Sequence, residues 1–204
     1  MEKEKKVLEL IALAEKYNCF RFSDLGFNTR SGVMFKYEID LRKACDNLHK
    51  AKMFLKHVYN LIIASDPKID YFMGIPDTGN LLSFVLNVLH QEQYPEKEIP
   101  LNLVRTDPKP YIKAAPVTVN PVIEAKNICL IEDDVVTGET LIQYLKMLKC
   151  LPRKRMLVVS IFDRDFIDGD GLTVKHKIQK EFDYSYFPLV KLSDLENYFQ
   201  KSLR

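Results

Sequence analysis

An α/β fold, with a mainly parallel sheet flanked by helices and an N-terminal extension over its top, is what this 204-residue sequence predicts. Three observations lead there. The runs IDYFMG (69–74), NICLIE (127–132) and RMLVVSIF (155–162) are strand-length and nearly continuous in apolar residues, as strands buried on both faces are. Helix-periodic segments separate them, the alternation that builds a parallel sheet. The first run ends in Gly74, the second in the acids Glu132, Asp133 and Asp134, and the third is followed by Asp163-Arg164. Polar chemistry therefore collects at the carboxyl edge, where such sheets bind ligands.

The elements follow in order. Val7, Leu10, Ile11 and Ala14 recur at helical spacing and predict a helix over 3–17. FSDLGFNTRSG (22–32) reads as a polar loop, and MFKYEID (34–40) alternates like a strand. Leu41, Ala44, Leu48, Ala51, Leu55, Val58 and Ile62 share one face of a single long helix that Asp66-Pro67 breaks. A helix is predicted over 80–90, a strand over 99–105, a helix over 140–149 and a C-terminal helix over 192–201 with Ser193 as N-cap. HKIQKEFDY (176–184) has no clear assignment. Residues 106–126 hold four of the ten prolines and no glycine, and read as a long loop. The whole of 1–204 reads as one domain, with about 1–40 as an N-terminal hood.

Composition narrows the function classes. A hydrophobic content of 47% with 28% charged residues suits a globular core, and a formal charge of +2 offers no global field for nucleic acid or an anionic membrane. MEKEKK precedes no run of signal-peptide length, and no apolar stretch approaches the roughly 20 residues of a membrane span. The four cysteines (Cys19, Cys45, Cys129, Cys150) lack metal-site spacing and are expected as reduced thiols in a cytoplasmic protein. The four histidines are expected at the periphery, none placed as a catalytic base.

NICLIEDDVVTGETL (127–141) carries the chemistry. The turn into its helix exposes backbone N–H groups, and the helix dipole favours an anion there. Thr137 and Thr140 add hydroxyl donors, and Gly138 allows close approach. Glu132 and Asp133 stand beside this cradle, where a plain phosphate site would carry no acids. A ligand with a phosphate end, sugar hydroxyls for the carboxylates and a pyrophosphate-bound Mg²⁺ reconciles the two. Phosphoribosyl pyrophosphate is such a ligand. A P-loop would need Gly-Lys-Ser/Thr and a dinucleotide fold GxGxxG, and both are absent. A solvated acid run beside an ordinary helix cap is the structural alternative.

ICLIEDDVVTGET resembles the phosphoribosyl pyrophosphate motif of the type I phosphoribosyltransferases: an apolar strand, two acids, three residues, then Thr-Gly-x-Thr/Ser. NTRSGVMFKYEIDLRK (28–43), LVRTDPKPY (103–111) and VVSIFDRD (158–165) resemble segments of the orotate branch of that family. The resemblance runs from about Phe27 to Leu195, in the family's order. It implies the type I phosphoribosyltransferase fold and transfer of 5-phosphoribosyl to orotate, a pentosyl transfer in pyrimidine nucleotide synthesis that yields orotidine 5′-monophosphate and pyrophosphate. In that register the donor meets Glu132, Asp133, Val136, Thr137, Gly138, Glu139 and Thr140, and the turn Asp77, Thr78 and Gly79. It also meets Arg105, Lys109 and Tyr111. Orotate would meet Arg30, Phe35, Lys36, Thr137 and Arg164, whose guanidinium suits a planar carboxylate. Lys109, Arg105 and Asp133 are the implied catalytic residues. Mg²⁺ would bind through the donor's pyrophosphate, with protein ligands unassigned. A mobile loop after Lys109 that reaches a neighbouring site implies a homodimer.

The sequence departs from the pattern in five places. Asp134 stands where an apolar residue is usual, Glu139 where Gly or Lys is usual, and Arg30 and Thr106 replace lysines. The loop carries prolines at 108, 110, 116 and 121 in place of hinge glycines. Transfer to another base and a non-catalytic, donor-binding regulator stay open beside the orotate reading. A regulator would be expected to carry a basic nucleic-acid face.

Overall fold

The computed structural model describes residues 2–29, 31–99, 103–105, 127–149 and 155–202. Helix α1 (Glu2–Lys16) forms as its spacing predicts and buries Val7, Leu10, Ile11 and Ala14. Acids in its first turn and Lys16 in its last complement the helix dipole. Strands β1 (Phe20–Asn28) and β2 (Met34–Ile39) pair as an antiparallel ribbon, with a register shift between Phe22 and Phe27. Gly26 takes φ +79° inside that irregular stretch. Most of the expected polar loop at 22–32 is therefore strand. The ribbon is only partly backed by core, so it lacks the apolar alternation that marks a half-buried strand.

The long helix expected from Leu41 is two elements. A 3-10 helix (Leu41–Cys45) precedes α2 (Leu48–Ser65). Asn47 separates them, its side chain accepting the Lys50 N–H at 3.0 Å as an N-cap. The apolar stripe runs across both, which is why it reads as continuous.

The main sheet has the order β3-β4-β5-β6, every pairing parallel. Its strands are Tyr71–Gly74, Asn127–Val135, Arg155–Asp163 and Ser185–Lys191. Alternation sorts their side chains onto two cores. Phe72, Cys129, Ile131, Leu157 and Val159 join the core with α1, α2, α3 (Thr78–Gln93) and Leu195. Tyr71, Met73, Ile128, Leu130, Met156 and Val158 meet the core built from α4 (Glu139–Leu148) and α5 (Val174–Phe182). Helices thus cover both faces.

HKIQKEFDY resolves as most of α5, whose N-cap Thr173 accepts from the His176 N–H. Strand β6 had no sequence signal because Pro188 interrupts it. It is the outer strand of this sheet, where a missing N–H is tolerated. Helix α6 (Leu192–Ser202) begins one residue before Ser193, so Ser193 is not its N-cap. The Asp194 carboxylate instead accepts the Lys191 N–H at 2.9 Å. His90 is buried rather than peripheral. Its Nδ1 pairs with the Tyr59 hydroxyl at 2.9 Å, and burial lowers its pKa to about 4. Cys19, Cys45 and Cys129 are free thiols.

Of the predicted hood, α1 belongs to the core and the ribbon overhangs the sheet. The ribbon's base is fixed by aromatic contacts: Phe20 against Phe162 and Phe199, and Tyr37 stacked on Phe199 at 5.6 Å. Of the predicted strand 99–105, residues 100–102 lie outside the described residues, as does the loop 106–126. Val104 is buried and clamped to Asn80, which accepts its N–H at 3.1 Å and donates to its carbonyl at 2.8 Å. Among the described residues, no helix is long and apolar enough to cross a membrane.

Candidate active site

A cleft of about 510 Å³ opens at the carboxyl edge of the sheet. The turn after β3 (Pro76, Asp77, Thr78), residues 132–141 and Arg164 form its floor, and the ribbon with Asp40 and Arg42 closes it from above. β4 runs three residues further than NICLIE suggested, because pairing with β5 continues to Val135↔Asp163. All three acids therefore ride on a strand. The end of β5 is fastened as well: the Tyr186 hydroxyl donates to Asp163 at 2.7 Å and meets the Ser160 hydroxyl at 2.8 Å.

Two helices point their N-termini into this cleft, and neither is capped. The α3 N-cap, Asp77, and the α4 N-cap, Gly138, make no side-chain cap bond. Elsewhere α2 and α5 are capped by their own Asn47 and Thr173. An uncapped first turn presents backbone N–H groups to a ligand. Two such turns in one cleft suit a ligand with two anionic ends.

Glycines set the backbone of both turns. A Cβ on Gly74 would lie 1.8 Å from the Gly79 carbonyl oxygen, and one on Gly79 would lie 2.8 Å from the Ile131 oxygen. Gly79 therefore packs the turn against β3 and β4 and does not line the cleft, while Asp77 and Thr78 do. Gly138 takes the left-handed φ of +75° that the α4 entry requires.

The acids differ in environment. Glu132 Oε2 is enclosed and has no hydrogen-bond partner. Burial, with Asp133 next in weight, raises its pKa well above the usual 4.5. Glu132 also lines the cleft, so its carboxyl group is a candidate acceptor for a sugar hydroxyl. A raised carboxyl pKa means that the folded chain holds more protons than the unfolded one. Its contribution to stability then falls as pH rises from the unfolded value towards the folded one. Glu132→Gln is therefore expected to melt higher than wild type at pH 8, with a smaller gap at pH 5, and to bind a polyhydroxylated ligand more weakly. Melting curves at the two pH values check the first part and calorimetry the second.

Asp134, by contrast, is taken. Arg164 Nε donates to its Oδ1 at 2.8 Å and an Arg164 terminal nitrogen to its Oδ2 at 2.7 Å. Burial raises the Asp134 pKa and the guanidinium pulls it back. The other terminal nitrogen donates to the Tyr37 carbonyl at 2.6 Å, and the guanidinium lies 5.2 Å from the Phe35 ring centre. Arg164 itself is 4% exposed.

The structure brings Glu132, Asp133, Val136, Thr137, Gly138, Glu139, Thr140, Asp77, Thr78 and Arg164 to one cleft. Phe35 reaches it only through Arg164. Lys36 is exposed on the ribbon face opposite Phe35 and Tyr37, because neighbouring strand residues alternate. Arg105 follows the clamped Val104 and lies outside the cleft lining. Arg30, Lys109 and Tyr111 lie outside the described residues. Phe27, Asn28, Thr29 and Ser31 also line the cleft; the sequence does not single them out, although it places their segment in a hood over the sheet. The pair Asp40–Arg42, joined at 2.7 Å, lines it too. Among the described residues, no three His, Cys, Asp or Glu side chains cluster to hold a metal.

A second cavity, of about 720 Å³, lies by α1, β6 and α6. The α5 terminus that opens on it is closed by Thr173.

No protein-family model matches the sequence, and no curated protein matches it. Solved structures do. An orotate phosphoribosyltransferase from Francisella tularensis aligns with TM-score 0.72 at 22% identity, over 95% of this chain and 90% of its own. UMP synthase from Leishmania donovani aligns with TM-score 0.71 at 21% identity over 96% of this chain, which spans 38% of that longer protein. An orotate phosphoribosyltransferase from Mycobacterium tuberculosis, in complex with phosphoribosyl pyrophosphate, aligns with TM-score 0.60 at 16% identity over 94% of this chain and 99% of its own. The chain has the fold of the type I phosphoribosyltransferases.

Proposed function

We propose that this chain is a phosphoribosyltransferase: it takes the 5-phosphoribosyl group from phosphoribosyl pyrophosphate and passes it to a ring nitrogen of a nitrogenous base. The named structural neighbours and the ribbon segment 28–43 suggest orotate as the acceptor, whereas the engagement of Arg164 by Asp134 argues for a base without a carboxylate. The observation that carries the reading is the pair of helix N-termini without side-chain caps that flank the Glu132–Asp133 carboxyl groups in one cleft. The α4 turn suits the 5′-phosphate, the α3 turn the pyrophosphate, and Glu132 with Asp133 the ribose hydroxyls between them.

In the reaction the C1–O bond to pyrophosphate breaks and a C1–N bond to the base forms. The protein does little covalent work. It positions the reactants, places N–H groups where charge develops and keeps water out. Glu132 and Asp133 sit where they would also soften the positive character that develops on the ribose ring. Glu132 and Asp133 line the cleft and would suit a Mg²⁺ that arrives on the donor's pyrophosphate and keeps most of its other ligands as water. Bound there, Mg²⁺ would neutralise part of the pyrophosphate charge. Lys109, from the segment after 105, is proposed to assist the leaving group, and a homodimer is the proposed assembly.

The test mixes the protein with phosphoribosyl pyrophosphate, Mg²⁺ and one base at a time, and follows ultraviolet absorbance for orotate, uracil and hypoxanthine. Loss of a base that requires both donor and Mg²⁺ is the expected result. Donor binding without turnover on any base would support the regulator reading, and no donor binding would end both.

A further inference from the structure

We infer that the base accepted at this site is uncharged, because Asp134 occupies the arginine that a carboxylate-bearing base would need. This inference rests on the phosphoribosyl-transfer reading and names its acceptor class.

The geometry is closed on three sides. The Nε and one terminal nitrogen of Arg164 meet the two Asp134 oxygens as a fork. The opposite terminal nitrogen is held by the Tyr37 carbonyl, and the Phe35 ring lies against the guanidinium. β4 and β5 build this contact: Asp134 pairs with Phe162, two residues before Arg164, so the two side chains leave adjacent strand ends. The backbone adds a tie, with the Arg164 N–H on the Val135 carbonyl at 2.9 Å. The positive charge is thus spent inside the protein before any base arrives.

The rest of the described lining supplies no replacement. It holds seven acids (Glu38, Asp40, Asp77, Glu132, Asp133, Asp134, Glu139) and two arginines. The second arginine, Arg42, is likewise forked onto an aspartate, its Nε at 2.7 Å and a terminal nitrogen at 3.0 Å from the Asp40 oxygens. A carboxylate-bearing base would meet a guanidinium that Asp134 already neutralises. An uncharged base needs no such counter-charge, and the occupied guanidinium costs it nothing. In the balanced step the ring N–H becomes the new N–C1 bond and its proton leaves with pyrophosphate.

Three measurements decide the matter. Donor binding is titrated first, by calorimetry with phosphoribosyl pyrophosphate and Mg²⁺; its absence overturns the transfer reading and this inference with it. The wild-type kcat/KM is then compared for uracil and hypoxanthine against orotate. At least one uncharged base is expected to exceed orotate by roughly 10-fold or more. Last, orotate binding is compared between wild type and Asp134→Asn, which keeps the shape and releases the charge of Arg164. Orotate affinity is expected to rise by about 10-fold or more in the variant. A wild type that prefers orotate, or a folded variant with no gain, overturns the inference. Should the variant melt too low to assay, the wild-type ratio decides alone. Should the donor bind while no base is consumed, the transfer reading fails and this inference with it.

Discussion

Gly138→Ala is expected to weaken donor binding by about 100-fold while leaving the fold in place. Two costs coincide at this residue. Its φ of +75° is left-handed, which charges a residue with a Cβ about 1–2 kcal/mol. The new Cβ would also stand 2.8 Å from both γ-carbons of Val174. The chain can relieve the second cost only by moving α4 from α5 or by opening the turn at 136–138. Either shift moves the first-turn N–H groups that the donor phosphate is proposed to use, and an error of about 1 Å in such a site costs on the order of 100-fold. Calorimetry with phosphoribosyl pyrophosphate and Mg²⁺ measures the loss. Gly138→Ala combined with Val174→Ala removes the clash and keeps the dihedral cost, so it should recover part of the affinity. Wild-type affinity in the single variant would show that the turn is not the phosphate cradle.

Gly74→Ala is expected to damage stability rather than binding alone. Its Cβ would meet the Gly79 carbonyl oxygen at 1.8 Å, the Gly79 carbonyl carbon at 2.0 Å and the Asn80 nitrogen at 2.4 Å. All three are backbone atoms, so no side chain can step aside. β3 and the start of α3 must separate, and the inner surfaces of Phe72 and Leu82 lose contact with their neighbours. A loss of roughly 3–5 kcal/mol is expected, in the range that backbone overpacking in a core produces. For a chain of this size that lowers Tm by about 10 °C or more. Urea unfolding checks it: the midpoint should fall with little change in slope.

How far the sequence led can be judged from particular residues. The strands at 71–74, 127–135 and 155–163 were legible because burial on both faces leaves a nearly unbroken apolar run. Helix α1 and the stripe of α2 were legible because helical periodicity survives even a break at residues 46–47. That break was hidden, since Asn47 is an N-cap only when the chain turns there. β1 was hidden because its pairing partner, not its own pattern, makes it a strand, and β6 because Pro188 argues against a strand unless the strand is an outer one. At the site, Glu132, Asp133 and the turn through Thr140 were legible because the chemistry is local. The bond from Asp134 to Arg164 was not, although both residues were singled out: a contact across 30 positions depends on strand order, which spacing alone does not reveal. The same holds for Lys36, where a single position of strand alternation separates a residue facing Arg164 from one facing solvent.

The ribbon formed by β1 and β2 is a beam clamped at one end. Phe20 and Tyr37 lock its root against Phe162 and Phe199, and the Tyr37 carbonyl is pinned by Arg164. Phe27, Asn28, Thr29 and Ser31, further out on the ribbon, line the cleft together with Tyr37, Glu38 and Ile39. Roof and floor therefore share one fastening: the ribbon's root is held over the cleft by the same guanidinium that follows β5, so a change at Arg164 reaches the roof through Tyr37 as directly as it reaches the acids through Asp134.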